Sequence, residues 1–293
     1  MNELTVREEP VGGPVRGAVR EVTPPFAQGR RRVVLLVHGY NNTEEAARRS
    51  FGQFTKDLEQ LGSSARALLP DLGGFYWPGD ADLGPISFLS YPFEIKPARE
   101  SAERLAEYVR TLVGPGGTTT ELYFVSHSLG NRVILEALDR LAAAPLPTGH
   151  VAGACLMAAA VPVEMVEERG PLLEGATLPG TTLILYSRDD LVLHFAFPVG
   201  ETAAGEGFFP TAVGRFGQPA GVWTGRQELT GDDHDDYWRD PRAVMRVARL
   251  LGAAVAWEVE AAVRAGRRLP AAPAVTARTI GAHALPARGG AEA

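Results

Sequence analysis

One segment of the chain restricts its possible folds more than any other, because it joins a buried strand directly to a helix. The apolar residues 122–125 run into the pentapeptide S-H-S-L-G at 126–130, and helical spacing of apolar residues starts at Val133. The later helical positions are Ile134, Ala137, Leu138 and Leu141. A short apolar strand that passes through a tight turn into a helix is typical of parallel sheets covered by helices on both faces.

The rest of the chain alternates in the same way between short apolar runs and helical patterns. Apolar runs predict further strands over 33–37, 68–77, 151–160, 183–186 and 222–229. Helical spacing predicts helices over 42–61, 98–112 and 240–266. Asn42 with Glu45 resembles a capping box, and Asp240 before Pro241 is typical of an N-cap followed by proline at the first helical position. We therefore predict a mostly parallel sheet whose strand carboxyl ends share one edge, where sites in such folds are built.

The length of 293 residues fits a single α/β domain. We expect residues 1–29 to form an N-terminal extension or edge strand, and residues 30–267 to form the α/β domain. Residues 268–293 are rich in Ala, Pro, Gly and Arg without apolar periodicity, which predicts a flexible tail. Residues 161–181 leave little room for a large cap domain, so none is expected.

Charge and cysteine content exclude several classes of protein. The net charge is −6, and no basic run extends beyond residues 30–32, so we expect no nucleic-acid partner. The single cysteine, Cys155, rules out an internal disulfide and a cysteine-cluster metal site, and its apolar neighbours predict a core position. The first residues lack a signal-peptide pattern, and no stretch of about 18 apolar residues occurs. The sequence therefore predicts a soluble, cytoplasmic protein without a transmembrane segment.

Ser128 is the candidate nucleophile within the pentapeptide. A nucleophile held on a sharp turn between strand and helix needs small neighbours, and Gly130 lets the helix approach the strand. The helix N-terminus also favours a developing negative charge. Two alternatives remain open, namely that Ser128 is only a helix N-cap, and that Ser126 is the nucleophile instead. His127 points away from its neighbours on such a turn, which favours a packing or orienting role.

Together these motifs resemble the α/β-hydrolase superfamily over roughly residues 30–266. Besides the S-H-S-L-G turn, the resemblance depends on H-G-Y-N-N at 38–42 after a buried strand, and on W-P at 77–78. The chain looks most like a little-characterised bacterial branch of serine hydrolases, with Ser126 in place of the first glycine of the usual nucleophile turn. The resemblance implies an oxyanion hole formed by the backbone N–H groups of Tyr40 and Leu129, and a structural role for His38. The alternative is that His38-Gly39 is only a turn that ends a strand.

A serine nucleophile needs a base to take its proton and a third group to orient that base. His234 follows the last predicted strand and precedes the helix at 240, which is where the resembled family places its base. Asp190 ends a buried strand and matches the acid position of that family, while Asp189 and Glu164 remain alternatives. The chain order of serine, aspartate and histidine is that of α/β-hydrolases and differs from those of the chymotrypsin and subtilisin classes.

Two further features of this region have alternative interpretations. Aspartates at 232, 233, 235 and 236 flank His234 and could bind a hard cation, although no EF-hand spacing is present. Four phenylalanines lie between acid and base and could line an acyl pocket or pack in the core. They are Phe195, Phe197, Phe208 and Phe209.

The sequence therefore predicts a serine hydrolase that forms an acyl-enzyme on Ser128. A carboxylic-ester hydrolase of the esterase or lipase kind is the favoured activity, with a small-molecule ester or acyl compound as substrate and with neither cofactor nor metal. A thioesterase, an acyltransferase or a peptidase would use the same triad. A non-catalytic binding module on the same scaffold is the alternative from a different class, because a fold does not determine a function.

Overall fold

An eight-stranded sheet forms the centre of the protein in the computed structural model, which describes residues 1–22, 25–27, 29–80, 91–113, 116–144, 146, 150–221, 223 and 225–266. The strands are β1 (Asn2–Arg7), β2 (Val15–Glu21), β3 (Arg32–Val37), β4 (Leu72–Tyr76), β5 (Glu121–His127), β6 (His150–Met157), β7 (Thr182–Tyr186) and β8 (Arg226–Leu229). Their order in the sheet is β2-β1-β4-β3-β5-β6-β7-β8. Every neighbouring pair is parallel except β1 and β2. The predicted mostly parallel sheet is confirmed.

Helices cover this sheet in two groups. They are α1 (Glu44–Gln60), α2 (Ser63–Arg66), α3 (Tyr91–Val113), α4 (Gly130–Ala142), α5 (Leu173–Thr177), α6 (Phe197–Ala204), α7 (Val213–Phe216), α8 (Pro241–Leu250) and α9 (Trp257–Arg264). One group consists of α3, α4, α5 and α6, and α1 packs on α8 in the other. The central strands lie between these layers, which explains why residues 33–37 of β3 are apolar throughout and fully buried.

The N-terminal residues contribute more to the sheet than an extension would. β1 lies inside the sheet, parallel to β4, and β2 pairs with β1 as an antiparallel edge strand. Between β6 and β7 the chain forms only a 3₁₀ turn, Val163–Met165, and the short α5. The tail expected at 268–293 lies outside the described residues. Among the residues with described positions, no helix is both long and apolar enough to cross a bilayer.

Two helix boundaries differ from the sequence prediction. The N-cap of α1 is Thr43, whose Oγ1 accepts the N–H of Ala46 at 3.2 Å, and the Asn42 side chain instead donates to the carbonyl of Tyr40 at 2.9 Å. The capping-box prediction at Asn42 was therefore wrong by one residue. The predicted helix over 240–266 is in fact α8 and α9, separated where Gly252 adopts a left-handed φ of 82°. Glycine is the residue that most readily adopts this conformation after a helix end.

The strand order places all the predicted site segments at one edge of the sheet. β3 and β5 are neighbours, and Val37 lies opposite Ser126 just before both strands end. β7 and β8 are also neighbours, with Tyr186 opposite Leu229 at their carboxyl ends. The loops that carry residues 38–42, 126–130, 187–190 and 230–236 therefore all emerge at this edge, as parallel connectivity requires.

Candidate active site

Ser128 occupies a strained turn between β5 and α4. Its φ is 51°, a value that non-glycine residues adopt rarely and at a cost of about 1 kcal/mol or more. The backbone N–H of Ser128 donates to the carbonyl of Met157 at 3.0 Å, and its own carbonyl accepts the N–H of Ala160 at 3.2 Å. These two bonds to the end of β6 hold the turn in place. The strand, turn and helix predicted around Ser128 are present.

Two glycines allow the loop after β3 to contact this turn. A Cβ atom on Gly39 would lie 2.7 Å from the Cβ of Ser128, and one on Gly130 would lie 2.3 Å from the carbonyl oxygen of His38. Real Cβ contacts are not this short, so any larger residue at either position would push the loop and the turn apart. Gly130 thus brings the first turn of α4 against the end of β3, as predicted from its place in the motif.

Ser126 holds the turn from the inside rather than facing the cavity. Its hydroxyl donates to Asn131 Oδ1 at 2.7 Å, and Asn131 Nδ2 donates to the carbonyls of Ser128 and Met157, each at 2.9 Å. All of these groups are buried. The sequence reasoning missed Asn131, whose only signal was its place directly after the S-H-S-L-G motif.

Ser128, His234 and Asp190 form one hydrogen-bonded chain. His234 Nε2 lies 2.9 Å from Ser128 Oγ, and His234 Nδ1 lies 2.7 Å from Asp190 Oδ2. A carboxylate can only accept, so Nδ1 carries the proton and Nε2 presents its lone pair to the serine hydroxyl. Three residues from the ends of three strands, separated by 62 and 44 positions in the sequence, are brought together.

Asp190 is the carboxylate that the structure places beside the histidine. Its side chain is 0% exposed, and its second oxygen, Oδ1, accepts the backbone N–H of Leu193 at 2.9 Å. Both oxygens are therefore bound, which fixes the direction of the carboxylate. Asp189 and Glu164 are exposed, and neither makes a hydrogen bond or ion pair with His234.

The His127 side chain contacts the backbone of His234. Its Nε2–H donates to the carbonyl oxygen of His234 at 2.6 Å, and the two rings lie 5.0 Å apart between centroids. Burial, together with the nearby His234, lowers the pKa of His127 to about 4. His127 is consequently a neutral donor at neutral pH. This contact agrees with the orienting role expected for it.

His38 belongs to a separate buried network. Its Nδ1–H donates to the carbonyl of Gly39 at 2.9 Å, and its Nε2 accepts the N–H of Trp77 at 3.2 Å. The Trp77 indole N–H donates back to the carbonyl of His38 at 2.9 Å, with the two rings stacked 5.6 Å apart. Burial lowers the pKa of His38 to about 3. These bonds tie the H-G loop to the end of β4.

A cavity of about 210 Å³ opens over Ser128 and His234. Its apolar lining comes from Ala160, Val192, Leu193, Ala196 and Phe197. Most of these side chains lie on or directly after a π-helical turn, Val192–Ala196, that starts two residues after Asp190. Among the four phenylalanines considered from the sequence, only Phe197 lines the cavity, whereas the other three are more than half exposed.

One predicted oxyanion donor shares the cavity with the serine, and the other directly follows the serine in the chain. Tyr40 lines the cavity together with Ser128. Leu129 precedes α4 as its N-cap residue, and its backbone N–H has no hydrogen-bond partner among the residues described. An N–H group at a helix N-terminus is left without an intrahelical acceptor and is suited to bind an anion. Their participation in an oxyanion hole remains a prediction.

Other candidate residues that the structure describes have different surroundings. Asp232 is paired with Arg242 at 3.1 Å, and within the described ranges no group of three or more His, Cys, Asp or Glu side chains could hold a metal ion. His194 is exposed beside Phe195, and His283 lies outside the described residues. Cys155 is buried in β6, where desolvation raises the pKa of its thiol.

Comparison with known proteins identifies the fold. A family model described as "Alpha/beta hydrolase of unknown function (DUF900)" matches residues 24–202, more than half of the chain. This match confirms the α/β-hydrolase fold predicted from the sequence. His234 lies beyond the matched residues.

Solved structures with a similar fold include two esterases. An esterase from Pyrobaculum calidifontis is 12% identical, with 77% of this chain and 78% of that chain covered and a TM-score of 0.41. An esterase/lipase from an uncultured bacterium is 13% identical, with coverage of 80% and 79% and a TM-score of 0.42. Among curated proteins, none matches this chain.

Proposed function

The chain belongs to this family of α/β-hydrolases, and we propose that it is a serine hydrolase whose nucleophile is Ser128. The observation that supports the proposal is the continuous hydrogen-bonded chain from Asp190 through His234 to the Ser128 hydroxyl, with distances of 2.7 and 2.9 Å. A hydroxyl is a weak nucleophile until a base of this kind removes its proton. The strained φ of Ser128 supports the same role, because it directs the hydroxyl into the cavity.

The proposed reaction begins when Ser128 Oγ attacks the carbonyl carbon of an ester and His234 Nε2 takes the hydroxyl proton. The buried Asp190 carboxylate stabilises the imidazolium that forms and keeps Nδ1 as the protonated nitrogen. The backbone N–H groups of Tyr40 and Leu129 would bind the oxyanion, assisted by the N-terminus of α4. His234 then gives its proton to the leaving alcohol, and an acyl-enzyme remains on Ser128.

Water completes the cycle by the same steps in reverse roles. His234 takes a proton from a water molecule, the hydroxide attacks the acyl carbon, and the released Ser128 oxygen recovers the proton. Every group in this cycle belongs to the protein, the substrate or water, so the proposal includes neither a cofactor nor a metal ion. A small carboxylic ester is the proposed substrate, because the cavity over Ser128 is small and lined by apolar side chains.

The experiment that tests this proposal is labelling with a fluorophosphonate together with hydrolysis of p-nitrophenyl butyrate. We expect the label on Ser128 in the wild type, and we expect Ser128→Ala to lose both the label and the enzymatic turnover. Residual rates of ~10³–10⁴ over water can persist from the oxyanion hole alone. Alanine fits the turn sterically, so circular dichroism should show an unchanged fold.

Ser126→Ala is the matched comparison for the nucleophile. Its hydroxyl donates to Asn131 and does not contact His234, so this variant should still accept the label on Ser128. Label found on Ser126, or full turnover by Ser128→Ala, would contradict the proposed mechanism.

A further inference from the structure

A second, more open cavity adjoins the H-G loop, and we call it the polar groove. Its volume is about 610 Å³, and it runs between α1 and the segment after His234. It shares Tyr40, Asn41 and Asp235 with the apolar cavity over Ser128. A molecule held at Ser128 can therefore extend in two directions, one apolar and one polar.

Three polar side chains of the groove are available to a ligand. Ser50, Asp235 and Arg239 line the groove, and none of their side chains has a hydrogen-bond or ion-pair partner in the described part of the chain. Other polar side chains of the lining are already bound within the protein. Arg49 is paired with Glu45, and Gln53 donates to Asp57 at 2.8 Å.

Among the described residues, the groove carries unpaired charges of both signs. Arg239 is positive, Asp235 is negative, and the charge of Arg49 is paired with that of Glu45. The carboxylate accepts hydrogen bonds, the guanidinium donates them, and the Ser50 hydroxyl does both. A neutral molecule with several hydroxyl groups matches this combination, because each hydroxyl can donate to Asp235 and accept from Arg239.

The position of Asp235 connects the groove to the chemistry. It follows His234 directly and lines both cavities. In the proposed reaction His234 gives its proton to the leaving alcohol, so the alcohol portion of the substrate lies next to this histidine. The apolar cavity, lined by Leu193 and Phe197 among others, then holds the acyl portion.

We propose that the polar groove binds the alcohol portion of the substrate, and that this portion is a neutral, hydroxyl-rich alcohol such as glycerol or a sugar. The substrate class is then the ester of a short apolar acid with a polyol. This inference rests on the proposed serine-hydrolase function and deepens it by naming the alcohol.

The test compares two esters of the same acid, glycerol monobutyrate and ethyl butyrate. We expect wild-type kcat/KM to be higher for the glycerol ester. Arg239→Leu and Ser50→Ala should each lower kcat/KM for the glycerol ester relative to kcat/KM for ethyl butyrate. The expected decrease is about tenfold for Arg239→Leu, since a hydrogen bond to a charged group is lost. Arg31→Leu is the matched control, because Arg31 is exposed directly before β3, at the amino end of the parallel strands and away from the groove. This variant should keep the wild-type ratio.

The possible failures can be told apart. If Arg239→Leu and Ser50→Ala both leave the ratio unchanged while the wild type hydrolyses ethyl butyrate, the groove does not bind the alcohol and the inference is overturned. If 3-butyryloxypropanoate, an alkyl ester whose alcohol portion is anionic, is preferred over the glycerol ester, the neutral polyol is the wrong class. If the wild type hydrolyses no ester and accepts no fluorophosphonate, the proposed function fails first and the inference fails with it.

Discussion

Each oxygen of the Asp190 carboxylate accepts one hydrogen bond, Oδ2 from His234 Nδ1–H and Oδ1 from the backbone N–H of Leu193. Replacing it by asparagine leaves the shape nearly unchanged but puts an N–H₂ group where one acceptor oxygen was. If that group faces His234, the histidine turns to the opposite tautomer and loses the lone pair at Nε2. We expect Asp190→Asn to lower kcat by up to ~10⁴ in an ester hydrolysis assay.

Asp189→Asn and Glu164→Gln are matched controls for this substitution. Both carboxylates are exposed and neither contacts His234, so kcat should change several-fold at most. A large loss in either control, with activity kept in Asp190→Asn, would mean that the hydrogen bond at 2.7 Å does not orient the base.

His127 provides a second prediction at the residue scale, because it donates to the carbonyl of His234 at 2.6 Å. Phenylalanine at this position keeps a ring but removes the donor and leaves a carbonyl without its partner, at a cost of about 1–3 kcal/mol. We expect His127→Phe to lower kcat more than it raises KM. Glutamine retains a donor, so His127→Gln should recover part of kcat. Equal kcat for both variants would show that His127 only fills space.

At this scale the sequence indicated the residues of the proposed triad but could not choose between all the alternatives. Ser128, Asp190 and His234 were the candidates because each follows a predicted strand whose carboxyl end faces the same edge of the sheet, although β8, the strand before His234, is largely exposed. Neighbouring carboxylates such as Asp189 follow the same strand, and only the turn after it determines which side chain points inward. The Asn131 side chain also joins the Ser128 turn to the carbonyl of Met157, 26 residues further along the chain, and a local sequence pattern does not indicate that contact.

Two helical glycines show how the elements are fitted together. Gly130 starts α4 where an added Cβ would meet the carbonyl oxygen of His38 at 2.3 Å, whereas Gly52 lies in α1 with nothing within 4 Å. Gly52→Ala should therefore stabilise the protein by ~0.5–1 kcal/mol, the ordinary gain in helix propensity. Gly130→Ala should destabilise it by ~1–3 kcal/mol through overpacking and should reduce activity, because the Ser128 turn must shift.

Urea denaturation of both variants beside the wild type measures this difference. We expect Gly52→Ala to raise the free energy of unfolding and Gly130→Ala to lower it, although the chemical substitution is the same. Stabilisation by Gly130→Ala would show that α4 does not press against the end of β3.

Elements that depend on tertiary contacts were also those that the sequence pattern did not predict. The π-helical turn Val192–Ala196 follows a carboxylate that binds its backbone, and nothing in its composition indicates a π-helix. α6, directly after it, is held to α3 and α4 because Glu206 pairs with Arg99 at 2.6 Å and with Arg132 at 3.2 Å. Strands and long helices were predictable because burial itself produces their periodicity.

At the scale of the whole molecule, two buried neutral histidines couple folding to pH. Burial lowers the pKa of His38 to about 3 and that of His127 to about 4, against an ordinary value of 6.5. Between these values the unfolded chain binds protons that the folded chain does not, so stability is lost as the pH falls below about 6.5. Buried carboxylates with raised pKa, such as Asp57 and Asp232, act in the opposite sense at lower pH.

We therefore expect the free energy of unfolding to fall by about 3 kcal/mol between about pH 6.5 and about pH 5, roughly half of it from each histidine. Urea denaturation at both pH values measures the change. His127→Gln should remove about half of the pH dependence, because glutamine does not titrate in this range. His194→Gln, at an exposed position, should leave the dependence as it is in the wild type. If His127→Gln and His194→Gln show the same pH dependence of the free energy of unfolding, protonation of buried His127 does not limit stability in acid.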